Sequence, residues 1–457
     1  LMVLLAAINA FGRILSDAEV PGAGVYIQHL NLLLTFVGAI IAARTGRHLT
    51  LSTGHTLSTG RWAPLVTGIG NTMGGAISCV LAWASYSMAV AEIDAPSVLP
   101  GGIPVWVFQM AMPVGFALIA VRFFWHNSSF VKGLISAILS LGILFALSHL
   151  PPENREWLLW PAMIFLFFTG LLGAPIFILM SGAALLLFFA ADVTLAAVPA
   201  ETFHIVVSPT LPVIPLFTFA GYVLARGGAS SRLIRLFNAW FGWMPGGVAI
   251  VTALVCAFFT TFTGASGVTI LGMGGFLLPL LVNGGYRKDF SIGLLTTSGS
   301  LGMLFPPSLP VILYGVMAGI AIDKLFLAGI LPGFFLISVV AAYGIYEGVR
   351  CKVPRSKFSP GEAVRSMWEA RYELMLPVIL FIGLFGIPGL LPGFLNLGEA
   401  AALVALYILF VECVLTRSLS FTKDVPGIML ECTVVIGTLL IIFGAALGMT
   451  NYLVDAE

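Results

Sequence analysis

Residues 298–310 read SGSLGMLFPPSLP and lie in the middle of the apolar window 289–319. Proline donates no N–H and its ring clashes with the carbonyl one turn back, so Pro306 and Pro307 interrupt any helix that runs through them. Residues 289–304 and 308–319 are each too short, at ~1.5 Å per residue, to cross a ~30 Å hydrocarbon core. Joined, they make one crossing broken near its middle. Carbonyls freed inside lipid must find partners, so the break calls for neighbouring polar groups or a bound ion. A second interruption, TFTGASGVT at residues 261–269, falls halfway along the window 246–283, with Gly264 and Gly267 bracketing Ala265 and Ser266.

The surrounding chain is built for lipid. Its 457 residues are 59% hydrophobic and only 9% charged, and the mean hydropathy is +1.05. A net charge of +1 gives no reason to expect nucleic acid as a partner. Apolar windows fall at 1–15, 26–43, 64–90, 104–124, 133–149, 157–172 and 176–191, then at 211–225, 246–283, 289–319, 325–349, 374–392, 399–416 and 426–450. The expectation is an all-α polytopic membrane protein of roughly fourteen membrane segments, including a helical hairpin and a broken helix.

Basic residues set the orientation. Arg350, Lys352, Arg355 and Lys357 have no acid among them, which places their loop in the cytoplasm. Counting crossings from that loop brings Arg44, Arg47, Arg122, Lys132, Arg226, Arg232, Arg235, Arg287, Lys288, Arg417 and Lys423 to the same side. The count closes only if the window 246–283 enters and leaves on one face, as a hairpin does. Two amphipathic stretches adjoin these loops. In SSRLIRLFNAWF, residues 230–241, Arg232, Arg235 and Asn238 recur every third position against an apolar face, the pattern of a helix lying in the interface plane. In SPGEAVRSMWEARYE, residues 359–373, Ser359 is placed as N-cap, Pro360 at the first helical position and Glu362 as the closing member of a capping box. A plain connecting helix is the alternative for both.

Three regions follow from composition. Residues 1–130 carry four windows and the tryptophans Trp62, Trp83, Trp106 and Trp125, suited to anchoring at the interface. Residues 131–155 read as a connector helix and loop, and residues 156–457 hold both interruptions. Cys79, Cys256, Cys351, Cys413 and Cys432 form no C-x-x-C pair, and the histidines at 29, 48, 55, 126, 149 and 204 have no ligand spacing. Glu412 and Glu431 lie near segment ends, and Glu399 follows a turn. With no Ser/His/Asp set, Walker motif or H-E-x-x-H, an enzyme is not indicated. Paired interruptions rich in Ser, Thr and Gly point instead to a transporter binding site, where unwound carbonyls hold cations. Plain kinks satisfied by neighbouring helices are the competing explanation.

Residues 264–335, from GASGVTILGMGGF to LFLAGILPGFF, closely resemble the large membrane subunit of tripartite ATP-independent periplasmic (TRAP) transporters. PLFTFAGYVLARGG, MPGGVAI and GEAAALVALY add to the likeness, and residues 1–130, around VGAIIAARTGRHL, resemble the four-helix small subunit more loosely. The resemblance implies a fused small-plus-large component of the bacterial inner membrane, one chain per functional unit. It implies sodium-driven uptake of a carboxylated solute, delivered by a soluble periplasmic binding protein, through an elevator motion of an inverted-repeat fold. Matched to the family's first sodium site are Gly264, Ser266 and Thr269 at the hairpin tip and Gly302, Phe305 and Pro306 at the break. Backbone carbonyls would supply most ligands for Na+, with hydroxyl help from Ser266 or Thr269. Ser298, Ser300 and Ser308 are the candidates for contact with the solute.

Two features depart from the family pattern. One hairpin and one PPS break are present where two inverted copies are expected, and the sequence stops at NYLVDAE where the second hairpin should begin. The second hairpin and second sodium site are therefore expected beyond residue 457. Gln28 also stands where acidic residues are expected. Four-carbon dicarboxylates, sugar acids including sialic acid, and other organic acids all remain open as substrates. The rival functions are a sodium/dicarboxylate carrier working without a binding protein and a non-transport membrane scaffold or enzyme.

Overall fold

The computed structural model describes residues 1–16, 19–51, 63–125, 130–149, 151–387 and 391–455; Trp62, His55 and His126 lie outside them. Among the described residues the regular structure is helical apart from a two-stranded antiparallel pairing of Gly386–Ile387 with Leu391–Pro392 and two isolated bridges, Thr50 with Pro175 and Val98 with Pro104. Six helices among the described residues are long and apolar enough to cross a membrane: Ala23–Thr45, Val66–Asp94, Val105–Trp125, Ile322–Arg350, Leu397–Leu415 and Asp424–Val454. The segments Lys288–Leu304 and Leu309–Ala318 meet the same length and apolarity test as a pair, bent by 45° at the break between them. Other windows fold as shorter apolar helices, among them Trp157–Leu171, Ile176–Ala190, Val213–Arg226 and Gly247–Thr263.

The chain forms two compact units, each drawing on separated stretches: Leu1–Ala23 with Pro212–Cys432, and Gly24–Leu211 with Thr433–Glu457. In the second unit, the helices Ala23–Thr45 and Asp424–Asp455 cross backbone to backbone. A Cβ on Gly38 would stand 2.1 Å from the Thr433 carbonyl oxygen, so only glycine permits this approach.

The loop after Ala23–Thr45 is tied down in the same unit. The Leu49 carbonyl accepts from Ile176 N–H at 2.9 Å, and His48 lies between the rings of Phe123 and Phe177, at centroid distances of 6.1 and 5.0 Å. Neither imidazole nitrogen meets a partner among the described residues. Burial lowers the His48 pKa from 6.5 to about 4, so the native ring is neutral. An unfolded chain takes up a proton here below its ordinary value while the native one resists it. The stability held above pH 6.5 is therefore lost as pH falls toward 4, by on the order of 3 kcal/mol. Thermal unfolding midpoints should fall across that interval, and His48→Phe should flatten the fall; an identical slope in the variant would show that other groups carry it.

In the first unit, Arg13 of the helix Met2–Ser16 pairs with Glu399 and donates to the Phe394 carbonyl at 2.7 Å. Glu399 is also half of a complete capping box. Asn396 Oδ1 accepts from the Glu399 N–H, and Glu399 Oε2 accepts from the Asn396 N–H, both at 2.9 Å. The box expected at Ser359 is only half formed, since Ser359 Oγ accepts from the Glu362 N–H at a long 3.5 Å. Both amphipathic stretches are helices, Ala229–Phe241 and Pro360–Glu369, and they pack on each other. Leu233 and Leu236 are buried, as the periodicity requires, whereas Trp240, on the same apolar face by that spacing, is exposed.

Candidate functional site

The two interruptions meet. The helix Gly247–Thr263 ends at Gly264 in the left-handed conformation, φ 66°, whose N–H returns to the Thr260 carbonyl at 2.8 Å. Ala265 is extended, and the helix Ser266–Asn283 starts at once and packs against its predecessor. A Cβ on Gly264 would stand 2.4 Å from the Leu309 Cβ, so the tip presses on the start of the second half of the broken helix.

That broken helix runs from Lys288 to Leu301, tightens to a 3₁₀ turn over Gly302–Leu304, and resumes at Leu309 after an extended Phe305. The freed carbonyls have protein partners. Gly302 O accepts from Phe305 N–H at 3.1 Å and from Thr261 Oγ1 at 3.3 Å. Phe305 O accepts from Ser308 N–H at 2.9 Å, and Met303 O accepts from Ser308 Oγ. Thr260 Oγ1 lies 2.9 Å from both Gly299 O and Thr269 Oγ1, and Thr263 Oγ1 is 2.9 Å from Thr269 Oγ1. Thr260 Oγ1 is the donor in both of its contacts, sharing its single proton between the Gly299 carbonyl and Thr269 Oγ1. A cluster of threonine hydroxyls thus stitches the tip to the break. Three of the polar side chains in the window 246–283 fall in one run, TTFT at residues 260–263, which was the available sign of this network.

The expected site residues fall into distinct settings. Thr269, Gly302 and Pro306 are buried at the junction, Gly264 caps it, and Ser266 and Phe305 are half-buried beside it. Phe305 also meets the Phe334 ring edge-on at 5.2 Å. Each carbonyl oxygen keeps a second lone pair, so a carbonyl that already accepts one hydrogen bond can also face a cation. Of the serines, Ser308 is buried and its hydroxyl serves the break, Ser300 is exposed, and Ser298 is buried with no partner among the described residues.

Residues 162–456 match the tripartite ATP-independent periplasmic transporter family, DctM component, over more than half the chain. The chain belongs to that family. Residues 2–128 match the DctQ component of the same TRAP transporters, so both membrane components occur in one chain. It is similar to the isethionate TRAP transporter permease protein DctMQ of Oleidesulfovibrio alaskensis, 31% identical over 75% of this chain and 54% of that one. The C4-dicarboxylate TRAP transporter large permease protein DctM of Vibrio cholerae is 31% identical over 58% of each. The ectoine TRAP transporter large permease protein TeaC of Halomonas elongata is 35% identical over 47% of this chain and 49% of its own. The chain spans about half the length of the relatives it matches. These relatives are named as permeases, not enzymes, and the TRAP chain described here is an integral protein of the inner membrane.

Proposed function

We propose that this TRAP chain is the fused membrane component of a secondary transporter that takes up a small organic acid, delivered by a soluble periplasmic binding protein and driven by sodium. The observation that carries the reading is the junction of the two interruptions, where Thr260 and Thr261 of one reach the Gly299 and Gly302 carbonyls of the other. Gly264, Ser266, Thr269, Gly302, Phe305 and Pro306 hold Na+ there. Neutral oxygens suit a hard monovalent ion, because a carboxylate would add a charge to be carried across the membrane. The relatives named for isethionate, C4-dicarboxylate and ectoine support an organic acid without selecting one. Roughly fourteen membrane segments accommodate the basic loops on one face. Residues 1–130 form a static part of the scaffold, residues 131–155 connect it to residues 156–457, and the hairpin and broken helix move together as the elevator.

Uptake of a radiolabelled organic acid into proteoliposomes, with the binding protein supplied, should require an inward sodium gradient. Equal uptake on potassium or proton gradients alone would remove sodium from the reading. Ser266→Ala should raise the sodium concentration for half-maximal uptake by about three- to tenfold, the scale of one lost polar contact. An unchanged value would leave the backbone as the sole ligand at that position.

A further inference from the structure

Outside the junction, one buried cluster of ionisable groups has an uneven charge count. Arg232, on the surface helix Ala229–Phe241, reaches two carboxylates distant in sequence. Its Nε and Nη2 donate to Glu373 Oε1 at 2.7 and 2.5 Å, and Nη2 also donates to Glu412 Oε1 at 2.5 Å. Both acids are 1% exposed. Two carboxylates against one guanidinium would leave a full negative charge buried beside apolar side chains, a state that proteins avoid by neutralising a group.

Hydrogen bonding tells the two acids apart. Glu412 has both oxygens occupied by donors: Oε1 takes Arg232, while Oε2 takes the Gly228 N–H at 3.1 Å, Thr416 Oγ1 at 3.2 Å and Ser418 Oγ. Four donors suit an anion, which can only accept. Glu373 crowds both Arg232 contacts onto Oε1, and its Oε2 meets no partner among the described residues. Beside it lies a cavity of about 10 Å³ lined by Leu224, Tyr372, Glu373, Leu376, Tyr407 and Glu412, close to the ~10–15 Å³ that one water needs. The Tyr407 hydroxyl donates to the Tyr372 carbonyl at 3.2 Å, which leaves its oxygen free to accept.

We propose that Glu373 is a proton-binding site, with the proton on Oε2 facing one water in this cavity, so that Arg232, Glu412 and Glu373 together are electrically neutral. Other charged neighbours are engaged elsewhere. Arg371 lies over the rings of Trp368 and Tyr372, Arg235 pairs with Glu369, and Arg226 pairs with Glu431. A hard cation is the poorer occupant, since Leu224, Leu376, Ile408 and Val411 make up much of the lining and offer no side-chain oxygens. The neutral triad anchors the surface helix to the ends of the helices Arg371–Phe385 and Leu397–Leu415, and the inference does not depend on sodium coupling.

Infrared difference spectra of the full chain in detergent test it. At neutral pH, the spectrum of the wild type minus Glu373→Gln should contain the carbonyl stretch of a protonated carboxylic acid, shifted in heavy water. The spectrum of the wild type minus Glu412→Gln should contain a carboxylate band instead. Because an amide has the shape of the neutral acid, Glu373→Gln should keep its unfolding midpoint within about 2 °C of wild type. Loss of a carboxylate band in Glu373→Gln, or failure of that variant to fold, would overturn the proposal. So would a sodium-induced rise in the midpoint of the wild type that Glu373→Gln lacks, which would assign the cavity to a cation.

Discussion

Replacing Arg232 by methionine should lower the stability of the folded chain by about 3–5 kcal/mol, the cost of leaving a buried carboxylate without its counter-charge. Arg232 is only 12% exposed and both of its partners are 1% exposed, so solvent cannot take over the pairing. The loss should appear as a large fall in the thermal unfolding midpoint in detergent. Adding Glu373→Gln and Glu412→Gln to Arg232→Met should restore most of it, because the charges then leave together while the glutamine at 412 still accepts from Gly228 and Ser418. A triple variant as unstable as the single one would mean that Arg232 acts by packing its stem rather than by charge. Protease cleavage between residues 226 and 247 should rise in Arg232→Met, since the surface helix loses its anchor to the helix ends at Glu373 and Glu412.

The second large effect is expected at Gly302. A Cβ there would stand 2.2 Å from the Ala257 carbonyl oxygen, 2.6 Å from the Thr261 nitrogen and 2.7 Å from the Thr260 Cβ. These are backbone atoms and the stiff stem of a β-branched side chain, with nowhere to move. Gly302→Ala should therefore push the broken helix off the hairpin tip, at a cost of about 1–3 kcal/mol. It should also weaken the sodium dependence of uptake by roughly tenfold or more, as the Thr260–Gly299 and Thr261–Gly302 bonds lengthen. Gly293→Ala, on the same helix with nothing within 4 Å of its Cβ, is the control and should behave as wild type. Equal behaviour of the two variants would show that the close packing at Gly302 has no bearing on the site.

Much of this architecture is legible from local chemistry. Prolines at 306 and 307 break a helix wherever they are buried, Gly264 ends one because it alone tolerates the left-handed turn without strain, and three-residue spacing of Arg232, Arg235 and Asn238 makes an amphipathic surface helix. Each of these features depends on neighbours within about one or two helical turns. The half-formed box at Ser359 and the complete one at Asn396 show the limit even there. Both stretches place a glutamate three residues after a capping side chain, and only at Asn396 is the geometry closed, where Glu399 also holds Arg13.

By itself, then, the sequence determined that the chain lives in lipid, where its helices break, and which stretches lie at the surface, because composition, periodicity and backbone stereochemistry act over short range. Only the tertiary structure decided what satisfies the breaks and what the charges do. Thr260 finds Gly299 across 39 residues, and Arg232 finds Glu373 and Glu412 across 141 and 180. No periodicity encodes such pairings. They arise because helix packing brings distant segments together, and burial then leaves each polar group no water and forces it to take whatever partner the packing supplies.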